Sequence, residues 1–261
     1  MSARRRVLRA LLLPTGMLAA GEVVMRVQGY AGDALSKPTD VIVALYRALA
    51  DGTFARATAQ TLASSFAGLA LGTSLGLAVG LWFGLSFVAR SLSAPTVEAL
   101  RTVPAVALIP LSMLAFGFGV RMESSVVAFA CIWPMLVLTQ AAVRQVEPRL
   151  LEVARMLQLP RSGRISKIIL PAAAPRIFVA FRISVGVALV VGITVEIAAN
   201  PYGLGYLAVP SQQNLRPDLM LATILWIGLL GWGLNAALHG AQRRAFPLAP
   251  DRVAVPQQGT R

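Results

Sequence analysis

Charged residues are scarce in this sequence: 13% of its 261 residues are Asp, Glu, Lys or Arg, whereas ordinary soluble domains have about 25%. Cysteine and histidine occur once each, as Cys131 and His239. A lone cysteine forms no disulfide within the chain, and a lone histidine gives no support to His-based catalysis or to a histidine metal cluster. These shortages argue against a soluble enzyme and against a histidine metalloprotein.

Lysine is limited to Lys37 and Lys167, and a serine precedes each of them. The phosphate-binding loop G-x-x-x-x-G-K-[ST] therefore does not occur. Paired catalytic carboxylates, a nucleophile elbow and metal-ligand spacings are also missing from the sequence. We expect no catalytic residue, no metal and no cofactor in this chain, and no ATP site of this kind.

Long uncharged runs dominate what is present, and 56% of the residues are hydrophobic. A membrane-spanning helix needs about 20 predominantly apolar residues, so the runs predict an all-α, polytopic membrane helix bundle. We place six spans near residues 7–26, 61–85, 96–117, 124–143, 177–199 and 219–240. The first has an alternative, because arginines at its start and Ala19-Ala20-Gly21, which could pass for a cleavage site, also resemble a signal peptide. We prefer a retained span, since its removal leaves five spans and an external N-terminus.

The positive charges predict the orientation of the chain. Most of the 24 Lys and Arg residues fall in connections on one side of the membrane, and cytoplasmic loops are the ones enriched in these residues. Both termini are therefore expected in the cytoplasm, with residues 27–58 outside and a surface helix within Val41 to Ala50. The net charge of +13 then reflects loops beside anionic lipid rather than nucleic-acid binding.

Glycine and proline mark two of the spans. The second span carries a glycine at every fourth position, namely Gly68, Gly72, Gly76, Gly80 and Gly84. Because glycine lets another helix backbone approach closely, this row predicts tight helix packing. Pro104 and Pro110 each remove a backbone donor from the third span and predict a bend there.

Several polar residues in or near the spans are candidates for the translocation pathway or a gate: Glu196, Thr194, Asn200, Asn235 and Arg101. An acid within a membrane span is costly and often functional, although Glu196 could instead make a structural hydrogen bond or reach interfacial water. Helix–helix hydrogen bonds are the alternative for Thr194 and the two asparagines. Arg101 either pairs with Glu98 or attracts an anionic substrate.

The connection at residues 144–176 is basic and far longer than the 2–8 residues that usually join two helices. Pro148 suits the first position of a helix, and one face of that helix would carry Leu150, Ala154 and Leu157. Its basic character suits either a loop resting on anionic lipid or a docking element for a partner protein.

Proline delimits a second short helix in this connection. Pro160 ends the first helix, a second begins at Arg161, and we expect Pro171 and Pro175 to stop it before the fifth span. The prediction is two short amphipathic helices joined by a tight turn and presented to the cytoplasm.

The residues Glu152-Val153-Ala154, Gln158 and Ile168 to Pro171 resemble the EAA motif of ABC importer permease subunits, in which E-A-A, three residues, G and nine residues precede I-x-L-P. The spacing matches throughout. Val153 replaces an alanine, and Gln158 replaces the glycine. Glycine permits a left-handed turn that glutamine adopts only at a cost, and Pro160 would help to enforce the turn.

Other segments are similar to the aliphatic sulfonate, taurine and nitrate permease group, so that the resemblance covers about residues 60–245. They are Leu100 to Pro104, Pro110-Leu111, Phe116 to Gly119, Val146 to Val153, and Gly203 to Leu207 after Glu196. This resemblance implies a type I ABC importer permease fold. It divides the chain into an N-terminal helix and external segment (1–60), a permease core (61–245) with its coupling loop at 144–176, and a cytoplasmic tail (246–261).

The same resemblance implies a transport subunit, not an enzyme, of the bacterial cytoplasmic membrane. Its partners would be a separate ATP-binding subunit, a periplasmic or lipid-anchored solute-binding protein, and a second copy of the chain. The ATPase would dock on Glu152, Ala154, Leu157, Gln158, Leu159, Pro160 and Arg161. The group favours a small anion such as a sulfonate, taurine or nitrate, and an ion- or proton-coupled secondary transporter is the alternative function.

Overall fold

A computed structural model describes residues 16–17, 19–27 and 36–246. From residue 36 onward the described chain forms helices joined by short loops, without a strand. Its helices are α1 Pro38–Ala50, α2 Thr53–Leu85, α3 Phe87–Arg101, α4 Ile109–Phe116, α5 Val120–Arg144, α6 Pro148–Met156, α7 Arg161–Ala198, α8 Leu204–Gln213 and α9 Pro217–Ala245. The predicted all-α class is confirmed.

Four of these helices, α2, α5, α7 and α9, are long and apolar enough to cross a membrane. A fifth span results within the described residues if α3 and the segment Ala105–Phe116 count as one broken span. The first predicted span, 7–26, lies largely outside the described residues, although residues 19–27 are helical. The helix predicted within Val41 to Ala50 is present as α1.

The third predicted span is not one straight helix from 96 to 117. The helix begins earlier, at Phe87, and ends at Arg101, after which the chain bends by 81° into Ala105–Phe116. Pro104 lies in the break and Pro110 in the first turn of α4. The bend predicted from these two prolines is confirmed, and it is sharp because a proline lacks the N–H that would continue the α3 ladder.

The expectation that Pro171 and Pro175 would stop a short helix is wrong. The chain stays helical from Arg161 to Ala198, with a π-helical stretch at Ile165–Ile169 just before Pro171. An i→i+5 stretch shifts the hydrogen-bond register, so the missing N–H and the ring of Pro171 are accommodated without ending the helix.

The described residues divide into two compact units. Unit 1 comprises those up to Leu71 with Val103–Ala130 and Val187–Gly231, and unit 2 comprises Gly72–Thr102, Cys131–Gly186 and those from Trp232 onward. One core of unit 1 contains Phe54, which stacks on Trp226 with ring centroids 6.2 Å apart. The core of unit 2 is made by the end of α5 and the start of α7 and contains Ala142, Val143, Val146, Ile169 and Ala173.

The glycine row of α2 packs against α5, as its spacing predicts. A Cβ at Gly80 would lie 2.7 Å from the carbonyl oxygen of Leu136 and 2.9 Å from Cβ of Thr139. Contacts of similar closeness occur at Gly68, Gly76 and Gly84. A side chain at these positions would have to displace the backbone or Cβ of α5, so the two helices can approach this closely only where α2 carries glycine.

Candidate functional site: a buried polar cluster and an exposed helical turn

Unit 1 encloses a cluster of polar side chains that α2, α5 and the end of α7 bring together. Its members are all buried: Thr61, Ser64, Ser65, Glu123, Ser124, Glu196 and Asn200. Burying polar groups costs free energy unless they are hydrogen-bonded. The partners of each group therefore decide what the cluster can do.

Glu123 and Asn200 join the start of α5 to the end of α7. Asn200 Nδ2 donates to Glu123 Oε2 at 2.7 Å, and the two residues are 2% and 0% exposed. Asn200 lies two residues after the last residue of α7, and its own N–H donates to the carbonyl of Val195 at 3.1 Å. This backbone bond orients the amide toward the first turn of α5.

Glu196 holds the start of α8. Its Oε2 accepts from the N–H of Gly205 at 2.7 Å, and the adjacent N–H of Leu204 donates to Thr61 Oγ1 at 2.9 Å. Gly203 has φ +97°, and a Cβ there would collide with the Glu196 carboxylate. Glycine is required at 203 both for this conformation and for room beside the acid.

The hydrogen bonds leave four buried oxygens of the cluster unpaired: Glu123 Oε1, Glu196 Oε1, Asn200 Oδ1 and Ser65 Oγ. In the described part of the chain, the ion pairs involve Glu22, Glu98 and Asp218, so neither acid of the cluster has a basic partner. The cluster is therefore rich in acceptor oxygens and contains two acids without a basic partner.

A pocket of about 200 Å³ opens onto this cluster. Its polar lining comes from Gln60, Ser64, Glu123, Asn200 and Tyr202. Glu123 and Asn200 thus combine near-complete burial with a face toward a cavity. This arrangement suits the binding of a small ligand that offers positive charge.

The five predicted pathway candidates lie in different environments in the structure. Glu196 and Asn200 belong to the buried cluster, whereas Thr194 donates to the carbonyl of Val190 in its own helix at 2.7 Å. Asn235 is exposed on α9. Arg101 pairs with Glu98 at 2.5 Å, which confirms the predicted ion pair, and the pathway role of all five stays a prediction.

Glu123 was not among the residues predicted from the sequence. Neither were the hydroxyl residues of α2. Thr58, Thr61 and Ser65 recur at intervals of three and four in this helix, which places them on one face. That spacing was the available signal, and Ser124-Ser125 at the start of α5 was a second one.

The connection at 144–176 contains helix α6, which is anchored in unit 2 through Ala154 and Leu151. Ala154 is 0% exposed, and Leu151 packs on the unit 2 core. The predicted apolar face of Leu150, Ala154 and Leu157 is therefore wrong in part, because Leu150 is 41% and Leu157 65% exposed. The helix is rotated so that positions 151 and 154, three apart, face inward.

The turn after α6 is left-handed at the position where the EAA motif has glycine. Gln158 has φ +51°, and the N–H of Leu159 donates to the carbonyl of Ala154 at 3.1 Å. This is the hydrogen bond that closes a helix C-terminus around a left-handed residue. Pro160 follows in an extended conformation and precedes α7, so glutamine adopts the predicted turn.

The surface around this turn combines apolar and charged side chains. Glu152, Leu157, Gln158, Pro160 and Arg161 are exposed, and Leu159 is half-buried. Met156, which was not predicted, is 82% exposed. Large apolar side chains ringed by charge are typical of a surface that a partner covers.

Comparison with known proteins gives consistent similarities. Residues 68–247 match the family described as binding-protein-dependent transport system inner membrane component. SsuC of Escherichia coli, named for aliphatic sulfonate transport, is 32% identical over 84% of this chain and 83% of its own length. The nitrate import permease protein NrtB of Leptolyngbya laminosa is 29% identical over 59% of this chain.

The chain spans about half the length of some of these relatives. The matched part is 55% of NrtB and 50% of the SsuC protein of Bacillus subtilis, which is 34% identical over 52% of this chain. Among solved structures, a chain of the inward-facing MetNI methionine ABC transporter superposes with a TM-score of 0.64 at 19% identity, covering 71% of this chain and 92% of that one. This likeness shows that the fold is that of an ABC importer permease.

Proposed function

The chain belongs to the family of inner membrane components of binding-protein-dependent transport systems, and we propose that it forms the translocation pathway of an ATP-driven importer for a small solute. ATP hydrolysis would take place on a separate subunit, and we expect neither a catalytic residue nor a cofactor in this chain.

The observation that carries this proposal is the exposed turn after α6. Ala154 and Leu151 fasten the helix to its own unit, while Met156 and Leu157 leave an apolar surface uncovered. A firmly anchored helix with an uncovered apolar end transmits force to the bundle when a partner grips it. A loop that only rests on lipid has no need of such an anchor.

The proposed docking residues are those of the EAA-like segment: Glu152, Ala154, Leu157, Gln158, Leu159, Pro160 and Arg161. Within this set the exposed residues would contact the ATPase, and Ala154 would act through the position of α6. Closure of the ATPase pair on ATP would move the turn and favour one packing of the bundle, and hydrolysis would reset it. A ligand shifts such an equilibrium only through its different affinity for the two states.

The proposed solute is a small anion of the sulfonate, taurine or nitrate kind, which the names of the relatives support. A periplasmic or lipid-anchored solute-binding protein would deliver it, and two copies of this chain would enclose the pathway. The chain would span the bacterial cytoplasmic membrane several times, with both termini in the cytoplasm.

A substitution at Leu157 tests the coupling. Leu157→Asp places a charge on the exposed apolar surface and should abolish solute-stimulated ATP hydrolysis while the protein stays folded. Ser166→Asp, at an exposed position beyond the turn, is the matched control and should retain the stimulation. Ala154→Asp is less informative, because it would disturb the packing of its own chain.

If Leu157→Asp and Ser166→Asp lose the stimulation equally, or if neither variant loses it, docking at the turn is contradicted.

The energy source separates the two candidate functions. Uptake into cells should cease when ATP is depleted and persist when a proton uncoupler is added. The opposite pattern would favour an ion- or proton-coupled secondary transporter.

A further inference from the structure

The pocket of unit 1 presents oxygen acceptors that lack donors. Glu123 Oε1 and Asn200 Oδ1 belong to residues that line it, and neither atom has a hydrogen-bond partner. Both residues are at least 98% buried, with exposures of 0% and 2%. Buried acceptors without a donor are costly, so a ligand that satisfies them would bind with a gain in free energy.

Two N–H donors near these oxygens are already engaged. Asn200 Nδ2 donates to Glu123 Oε2, and the N–H of Gly205 donates to Glu196 Oε2. Each of these donors binds the second oxygen of its carboxyl group, so neither is available to the first.

Gly192 leaves room for two oxygens of the cluster, Glu123 Oε1 and Ser65 Oγ. A Cβ at Gly192 would lie 3.2 Å from Glu123 Oε1 and would collide with Ser65 Oγ. The two oxygens thus converge on the same side of α7. Glu196 follows Gly192 by one helical turn, which places it on the same face.

The charge of the cluster is uncompensated by the described residues. Two carboxylates are buried there, and their nearest basic neighbour in sequence, Arg121, is exposed. A buried carboxyl group is normally paired, bound to a metal ion or neutralised by a proton. Whatever balances these two acids therefore comes from outside the described basic side chains.

We propose that this pocket binds one hard, oxygen-preferring cation, Na⁺, Mg²⁺ or Ca²⁺, through Glu123 and Asn200, which line it, with Ser65 and Glu196 of the same cluster as further ligands. Carboxylate, amide and hydroxyl oxygens are the ligands that such cations select, whereas transition metals favour imidazole and thiolate. Protonation of the two carboxyl groups is the alternative, and it predicts no response to any of these cations.

Within unit 1, the cation would connect the start of α5 and the end of α7 to Ser65 in α2. This role is independent of the proposed transport function. It is also distinct from solute binding, because the negative lining would repel a sulfonate-like or nitrate-like anion.

Thermal unfolding of the full chain in lipid nanodiscs tests the site. The protein is stripped with a chelator in choline chloride, and Na⁺, Mg²⁺ and Ca²⁺ are titrated separately at constant ionic strength. Tryptophan fluorescence reports the unfolding, and Trp226, which stacks on Phe54, contributes the signal of unit 1. At least one cation should raise the unfolding temperature saturably, and the responding cation identifies the occupant.

Glu123→Gln should weaken the apparent affinity by at least about tenfold, because even residues that only orient a metal ligand contribute about 10–100-fold. Asp40→Asn, which neutralises an exposed carboxylate of the same unit, is the control and should respond like the wild type. If Glu123→Gln does not fold, equilibrium dialysis compares wild type with Ser65→Ala, which keeps both carboxylates. The proposal is overturned if no cation stabilises the wild type, or if the variant at the site binds as tightly as the control.

Discussion

Helices α2 and α5 pack closely in both units, and in unit 1 polar groups add to the contact. There a Cβ at Gly68 would lie 2.6 Å from the carbonyl oxygen of Ser124, and Ser124 Oγ also donates to the carbonyl of Ser64 at 2.9 Å. In unit 2 the contact includes Gly76 and Gly80 against the backbone of α5. Hydrogen bonds can be exchanged for other partners or water, whereas two touching backbones have no such replacement. The comparison predicts that the fit of the backbones dominates in unit 2 and that side-chain chemistry contributes as well in unit 1.

The largest effect is expected where the backbones touch. Gly80→Ala would place a methyl group 2.7 Å from the Leu136 carbonyl oxygen and should cost about 1–3 kcal/mol, as overpacking does. The unfolding temperature and the monodisperse fraction after extraction measure this. Gly186→Ala, in the same unit but with no atom within 4 Å of the new methyl group, should be neutral or stabilising because alanine favours helix. Equal behaviour of the two variants would contradict a close backbone contact at Gly80.

In unit 1 the chemistry of the side chain should matter more than its size. Glu196→Leu removes the acceptor of the buried Gly205 N–H, and an unsatisfied buried donor costs about 1–3 kcal/mol. Glu196→Gln keeps an acceptor oxygen and should lose much less. The unfolding temperatures of the two variants provide the measurement, and a glutamine variant as unstable as the leucine variant would argue against this hydrogen bond.

A smaller effect is expected at the contact between α2 and α9. Trp226 Nε1 donates to Thr58 Oγ1 at 2.9 Å, while its ring stacks on Phe54. Thr58→Val keeps the shape and removes the acceptor, so it should cost about 1 kcal/mol. Thr194→Val is the control, because that hydroxyl donates only within its own helix. Denaturant or thermal unfolding measures the stability of both variants. A larger loss of stability in Thr194→Val than in Thr58→Val would contradict a stabilising hydrogen bond between Trp226 and Thr58.

The smallest expected change is a gain of stability in unit 2. Gln158 occupies a left-handed conformation that costs non-glycine residues about 1 kcal/mol. Gln158→Gly should therefore stabilise the turn by up to that amount without changing its contacts. Hydrogen exchange of the Leu159 amide, which donates to Ala154, measures the local effect. Faster exchange in the glycine variant would show that the glutamine side chain itself supports the turn.

Sequence reasoning was most successful where the signal was local. The helix at 38–50, the bend at Pro104 and Pro110, and the left-handed turn at Gln158 each follow from a few neighbouring residues. It failed at Pro171, because a π-helical stretch can absorb a proline that would otherwise end a helix. It also chose the wrong face of α6, since Leu150 and Leu151 are equally apolar and only the neighbouring core distinguishes them.

Apolar length and glycine spacing were sufficient to predict an all-helical membrane protein in which α2 packs closely on another helix, because both are properties of consecutive residues in one helix. The tertiary structure alone decided that Glu123, Glu196 and Asn200 share one buried cluster. Residues in separate helices come together only when those helices pack, and their separation along the chain does not indicate which of them will do so.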